Sequence, residues 1–181
     1  MNVNSINSHI RKKIPESPKS AVILGSGLGN FVDSLEKPIF IPYSEISGHP
    51  CSTVSGHKGE WVFGYIKNKP IICASGRFHL YEGFKLDEVT LPISVIYSLG
   101  CQNVFITNSA GCLKQNWKIG NFMLISGYLD NTYLNGSDPS STVMFNKEQI
   151  HKNIKNKAAK LGISLREGIY TGVLGPSFET P

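Results

Sequence analysis

The chain has 181 residues, 40% of them hydrophobic and 17% charged, with a formal net charge of +5. That length and balance fit one domain with a hydrophobic core and exclude a disordered or fibrous chain. No basic stripe interleaved with aromatics accompanies the positive charge, which argues against nucleic acid and suits an anionic small substrate.

Residues 1–20 are polar and basic, with Arg11, Lys12 and Lys13 clustered before Pro15. They lack the apolar core of a signal peptide and read as a solvated leader with at most a helical turn. A short apolar run follows at 21–24, ended by Gly25-Ser26-Gly27-Leu28-Gly29. An apolar run bounded by glycine predicts a buried strand. Strands are also predicted at 52–55 and 60–66. The second alternates through Trp61, Phe63 and Tyr65, then turns at Lys67-Asn68-Lys69-Pro70 into a strand at 71–74, which predicts a hairpin. Val89, Ile93, Ile96 and Tyr97 recur at helical spacing and predict a helix over 86–99, kinked at Pro92 and stopped by Gly100. Strands at 103–107 and 122–126 precede a polar stretch, 127–142, that reads as a long loop. An amphipathic helix over 147–161 carries Ile150, Ile154, Ala158 and Leu161 on one face, and Gly162 ends it. A last strand is predicted at 168–174. Strands mixed with helices make this an α/β protein, organised as the leader, 1–20, and a single domain, 21–181.

No apolar run approaches the ~20 residues of a membrane span, so no membrane partner is expected. Cys51, Cys73, Cys101 and Cys112 form no C-x-x-C pair, which predicts reduced, packed thiols in a cytoplasmic protein. The five histidines show no ligand spacing, which predicts no metal.

Several segments could carry chemistry. The glycine run 25–29 follows a strand, where backbone N–H groups can converge on a phosphate with the Ser26 hydroxyl as a further donor. It matches neither a dinucleotide fingerprint nor a P-loop, because Asn30 stands at the third glycine position and no Gly-Lys-Ser/Thr follows. A tight strand-to-helix turn is its plainer reading. In Gly76-Arg77-Phe78-His79-Leu80-Tyr81-Glu82-Gly83, an extended backbone would put Arg77, His79 and Tyr81 on one side and Phe78 and Leu80 on the other. A guanidinium fork beside an imidazole suits a doubly charged oxyanion. His57 lies in a small-residue loop and is incidental when taken alone. Asn108-Ser109-Ala110-Gly111 follows a predicted strand, where open α/β sheets bind ligands, although a simple turn would look the same. Near the end, the Glu179 carboxylate could accept N–H bonds from the edge of an amide-like ring while Phe178 stacks on its face.

In this order, the segments Gly25-Ser26-Gly27-Leu28-Gly29, Ser55-Gly56-His57, residues 76–83, Thr107-Asn108-Ser109-Ala110-Gly111 and Gly175-Pro176-Ser177-Phe178-Glu179-Thr180 resemble the trimeric-type purine nucleoside phosphorylases. The resemblance covers residues 21–181. It implies a phosphorylase/hydrolase-like α/β fold, with a mixed central sheet flanked by helices. The activity it implies is reversible phosphorolysis of purine nucleosides of the inosine and guanosine type, in purine salvage, with inorganic phosphate as co-substrate and no cofactor. By position, Ser26, His57, Arg77, His79 and the backbone N–H of Ser109 would hold phosphate. Tyr81, Asn108, Tyr170, Phe178 and Glu179 would line the nucleoside pocket, and Glu82 would orient His79. A full-length chain would be a homotrimer.

The resemblance also carries departures. Family chains continue beyond this point and supply further strands and base- and phosphate-binding residues, so the fold is expected to be incomplete at the C-terminus. The stretch 127–142 is shorter than the family loop, with Phe145 the nearest counterpart to its inserted aromatic. Cys112 stands where the family has glycine, which would strain the loop if that position has positive φ. Ser109 stands where the family has alanine. Two rivals follow: a remnant that binds phosphate or nucleoside without turnover, and a sister phosphorylase acting on a different base such as that of methylthioadenosine.

Overall fold

Isoleucines spaced by four residues organise the first part of the chain. In the computed structural model, which describes residues 2–51, 59–132, 142–145 and 148–173, helix α1 spans Val3–Lys13 and is capped by the Asn2 side chain, which accepts from the Ser5 N–H. Ile6 and Ile10 of α1, and Ile14 just beyond it, are buried in the main hydrophobic core. The segment expected to be a solvated leader is therefore part of the packed unit. Arg11 is likewise engaged: its guanidinium donates to the Ser98 and Leu99 carbonyls at 3.1 and 3.2 Å.

The chain folds as two compact units, residues 1–110 and 111–181, where the sequence suggests a single domain after the leader. The described residues of the first unit hold a five-stranded sheet in the order β2-β3-β4-β1-β5. Its strands are β1 (Ser20–Leu24), β2 (Glu36–Pro42), β3 (Glu60–Ile66), β4 (Lys69–Ser75) and β5 (Asn103–Ile106). The β3–β4 hairpin forms as predicted, with Lys67 and Asn68 both in the left-handed region, the geometry that matches the twist of a two-residue turn. Strand β4 pairs parallel with β1, and β1 parallel with β5. Trp61, Val62 and Phe63 of β3 and Ile72, Cys73 and Ala74 of β4 are fully buried.

The predicted helix over 86–99 is two helices, α2 (Leu86–Val89) and α3 (Leu91–Leu99). Pro92 stands in the first turn of α3. It opens a new helix there rather than kinking a long one, because its missing N–H is unneeded at that position. Leu91, Val95, Ile96 and Leu99 face the core, whereas Tyr97 is 83% exposed. Gly100, in the left-handed conformation, ends α3.

The described residues of the second unit form a three-stranded sheet, β7-β6-β8, from β6 (Phe122–Asp130), β7 (Thr142–Met144) and β8 (Leu165–Gly172), together with α4 (Glu148–Lys160). Strand β6 runs four residues past the predicted end, into the stretch read as loop, because β7 and β8 both pair with it. Of the predicted apolar face of α4 only Ala158 is buried, and Ile150 and Leu161 are exposed. The predicted strand at 52–55 lies outside the described residues.

Candidate functional site

Parallel register puts the carboxyl ends of β4, β1 and β5 along one rim, with Leu24 opposite Ser75 and Ile23 opposite Ile106. The chain leaves that rim through three of the predicted segments: Gly25-Ser26-Gly27 after β1, Gly76-Arg77-Phe78-His79 after β4, and Thr107-Asn108-Ser109 after β5. Backbone groups there have left the sheet ladder, and loops from neighbouring strands converge, which is why ligands bind at such ends.

The Thr107 hydroxyl ties two of these segments together. It accepts from the Gly25 N–H at 2.9 Å and donates to the Ile23 carbonyl at 3.1 Å. The approach is close enough that a Cβ on Gly25 would overlap the Thr107 carbonyl and stand 2.7 Å from the Asn108 Cα. Glycine is required at 25 for this contact, and Ser26, the next residue, is exposed on the rim. Asn108 donates from Nδ2 to the Ser109 carbonyl at 3.1 Å, and Ser109 is exposed.

After β4, Phe78 is buried while Arg77 and His79 are only part-buried, so the predicted alternation holds across these three residues. It stops at His79. Leu80–Glu82 is a 3-10 turn rather than extended chain, so the backbone does not carry Tyr81 on in the same alternation. The cause is a capping box: Glu82 Oε1 accepts from the His79 backbone N–H at 3.1 Å and lies 2.7 Å from its Nδ1. That carboxylate, 4% exposed, favours the proton on Nδ1 and fixes the rotation of the ring. Glu82 is thus hydrogen-bonded to His79 through both its backbone and its ring.

Tyr170 lies in the second unit, on β8 opposite Tyr128 of β6, their rings stacked with centroids 6.0 Å apart. Burial, then Asp130, raises the Tyr128 hydroxyl above the usual tyrosine range. His57, Phe178 and Glu179, and the side chain of Tyr81, lie outside the described residues. Cys112 carries no strain: among the described non-glycine residues, positive φ is found at Lys37, Lys67 and Asn68. Burial pushes the thiol of Cys73 up to about 12 and that of Cys101 to about 11, which removes both as thiolate nucleophiles. Among the described residues no three His, Cys, Asp or Glu side chains gather as a metal site would require, and no helix is long and apolar enough to cross a membrane.

Sequence reasoning missed Thr107 and Tyr128 as site neighbours. A threonine at the last position of a predicted strand carries no signal of its own, and Tyr128 fell in a stretch read as loop.

Residues 19–181 match the family model of the phosphorylase superfamily. The chain belongs to that superfamily, among its purine nucleoside phosphorylases. Purine nucleoside phosphorylase 1 of Geobacillus stearothermophilus is 36% identical over 182 residues, covering 95% of this chain and 66% of the relative. Purine nucleoside phosphorylase of Schistosoma mansoni in complex with inosine superposes with a TM-score of 0.84 at 30% identity, over 99% of this chain and 68% of that one. A purine nucleoside phosphorylase in complex with ribose 1-phosphate superposes with a TM-score of 0.86 at 31% identity, over 99% and 72%. The chain thus spans just under two thirds of the length of the Geobacillus relative.

Proposed function

We propose that this chain binds phosphate at the rim formed by β4, β1 and β5 and acts in the reversible phosphorolysis of purine nucleosides. The observation that carries this is the convergence of Ser26, Arg77, His79 and Asn108-Ser109 at the carboxyl ends of three adjacent parallel strands. A phosphate dianion there would receive the Arg77 guanidinium, the His79 ring held by Glu82, the Ser26 hydroxyl and the Ser109 backbone N–H. His57 would add a further donor. Asn108, Tyr170 and Tyr81 would face the nucleoside, with Phe178 stacked on the purine and Glu179 accepting from N1–H of a 6-oxopurine.

In the forward direction the bond between the purine nitrogen and C1′ breaks with its electron pair leaving on the base. A phosphate oxygen then bonds to C1′ and the departing base takes up a proton, giving free base and pentose 1-phosphate. The sugar gains oxocarbenium character as the bond breaks, and a dianion fixed beneath it stabilises that charge and captures it. Inosine and ribose 1-phosphate bound to structural relatives support both halves of this reading. The same reading assigns the protein to purine salvage in the cytoplasm, as a homotrimer that uses no cofactor.

Binding without turnover is a second reading, favoured by β5. This strand leads directly into Asn108 and Ser109, stands at the edge of its sheet and is exposed along its whole length. Phosphate-dependent release of hypoxanthine from inosine separates the two. Turnover that vanishes without phosphate is the expected result. Phosphate binding with no release of base supports the second reading, and neither binding nor release refutes both.

A further inference from the structure

One buried cluster lies directly behind the Arg77–His79 segment and has no part in the pocket itself. Tyr43, 1% exposed, grips two backbone segments at once. Its N–H donates to the Gly59 carbonyl at 2.8 Å, and its hydroxyl donates to the Gly76 carbonyl at 3.1 Å. The Gly76 carbonyl belongs to the peptide unit whose other end is the N–H of Arg77. Because that unit is planar, fixing the oxygen fixes the direction in which Arg77 departs. Gly76 needs the help. Its φ is +123°, and a Cβ there would stand 2.9 Å from the Gly59 nitrogen, so the turn relies on a glycine–glycine contact with no side chain to lock it.

The Tyr43 ring is itself held. It stacks on His49 with centroids 4.0 Å apart and packs against Phe78 and Trp61 at 5.8 and 5.9 Å. His49, 8% exposed, is pinned at both nitrogens. Nε2 accepts from the Trp61 indole N–H at 3.1 Å, and Nδ1 donates to the Pro50 carbonyl at 2.8 Å. An indole can only donate and a carbonyl can only accept, so the ring is the neutral Nδ1–H tautomer. Trp61 on β3, His49 and Tyr43 thus form a relay of fixed orientations that ends on the peptide unit carrying Arg77.

We propose that Tyr43, oriented by His49, is a positioning residue for phosphate: its hydroxyl on the Gly76 carbonyl sets the placement of Arg77. The proposal rests on the phosphate reading of the rim. It predicts that removing one hydroxyl from a buried residue with no place in the pocket weakens phosphate binding specifically.

The test is titration of the full chain with inorganic phosphate by calorimetry, alongside the thermal midpoint of each variant. Tyr43→Phe should raise the phosphate Kd by about three- to tenfold, the range one lost hydrogen bond of this kind supports. Ile10→Val, a core change in α1 remote from the rim, should lower the midpoint and leave the Kd unchanged. Tyr43→Phe with a wild-type Kd and a lowered midpoint would show a purely structural tyrosine and overturn the proposal. Should Tyr43→Phe fail to fold, His49→Phe takes its place. It keeps a ring against Tyr43 but loses both tethers, and should raise the Kd about twofold or more; an unchanged Kd again overturns the role. A wild-type chain that binds no phosphate refutes the phosphate reading itself, and the positioning role with it. That outcome is distinct from a loss confined to the variants.

Discussion

The two units are built differently. In residues 2–110 the strands behind the rim proposed to bind phosphate are anchored by fully buried side chains, Trp61, Phe63, Ile72 and Leu99 among them. Among the described residues from 111 onward only Gly127, Ala158 and Gly172 are buried, two of them glycines with no side chain to contribute. Hydrophobic stabilisation scales with apolar area removed from water, so the first unit carries most of what holds the described structure together. Ser26, Arg77, His79 and Ser109 stand on the anchored unit, while Tyr170 stands on strands that bury little. The rim proposed to bind phosphate therefore has a well-packed foundation of its own.

The largest expected effect falls on that foundation. Trp61→Ala should cost about 3–5 kcal/mol, whereas Phe122→Ala on β6, where the ring is 60% exposed, should stay within about 0.5 kcal/mol. Urea unfolding followed by circular dichroism reads both, and equal costs would dissolve the distinction between the units. Next is the division of labour within the site. Arg77→Ala should raise the phosphate Kd about 10- to 100-fold, the loss of a charge-assisted contact, while Glu179→Ala should leave it unchanged and abolish 6-oxopurine turnover. Phosphate affinity that falls equally in both variants would refute the split into phosphate and base halves.

Gly25→Ala probes the rim itself. Its new Cβ must displace the Thr107–Asn108 backbone, at about 1–3 kcal/mol, and phosphate binding should weaken with it. A variant with wild-type stability would show that β1 and β5 are not clasped there. The smallest effect is pH-dependent. Burial, only partly offset by the Pro50 carbonyl, holds His49 below its usual value, so the unfolded chain takes up a proton before the folded one does. The stability due to this group is therefore complete above about pH 6.5 and is lost as the pH falls below that value. The thermal midpoint of wild type should drop between about pH 7 and pH 5.5, and His49→Phe should drop less. Parallel curves would remove His49 as the acid-sensitive group.

Much of the first unit was legible from local signals. Glycine runs and apolar runs located β1 and its turn, alternation located β3, and a turn at Lys67-Asn68-Lys69-Pro70 joined β3 to β4, although β4 begins two residues earlier than that turn implies. What stayed hidden needed information from elsewhere in the fold. The helix α1 was visible only in the spacing of Ile6, Ile10 and Ile14, which basic and polar neighbours obscured. Strand β2 contains two prolines and an irregular register near Glu36, features that argue against a strand until its place at the sheet edge is known. The extent of β6 depends on partners distant in sequence. At the site, the residues that would meet phosphate could be named from motifs, because their chemistry shows in the side chain. Tyr43 and Thr107 could not, since each acts by where its hydroxyl lands on a backbone many residues away.

Phosphate binding where β4, β1 and β5 end is the claim on which the proposed function turns. Backbone amide NMR during titration with inorganic phosphate tests it most directly. Saturable shifts concentrated at Ser26, Gly27, Arg77, His79 and Ser109, and lost in Arg77→Ala, are the predicted result. Shifts centred elsewhere, or none at millimolar phosphate, would contradict it.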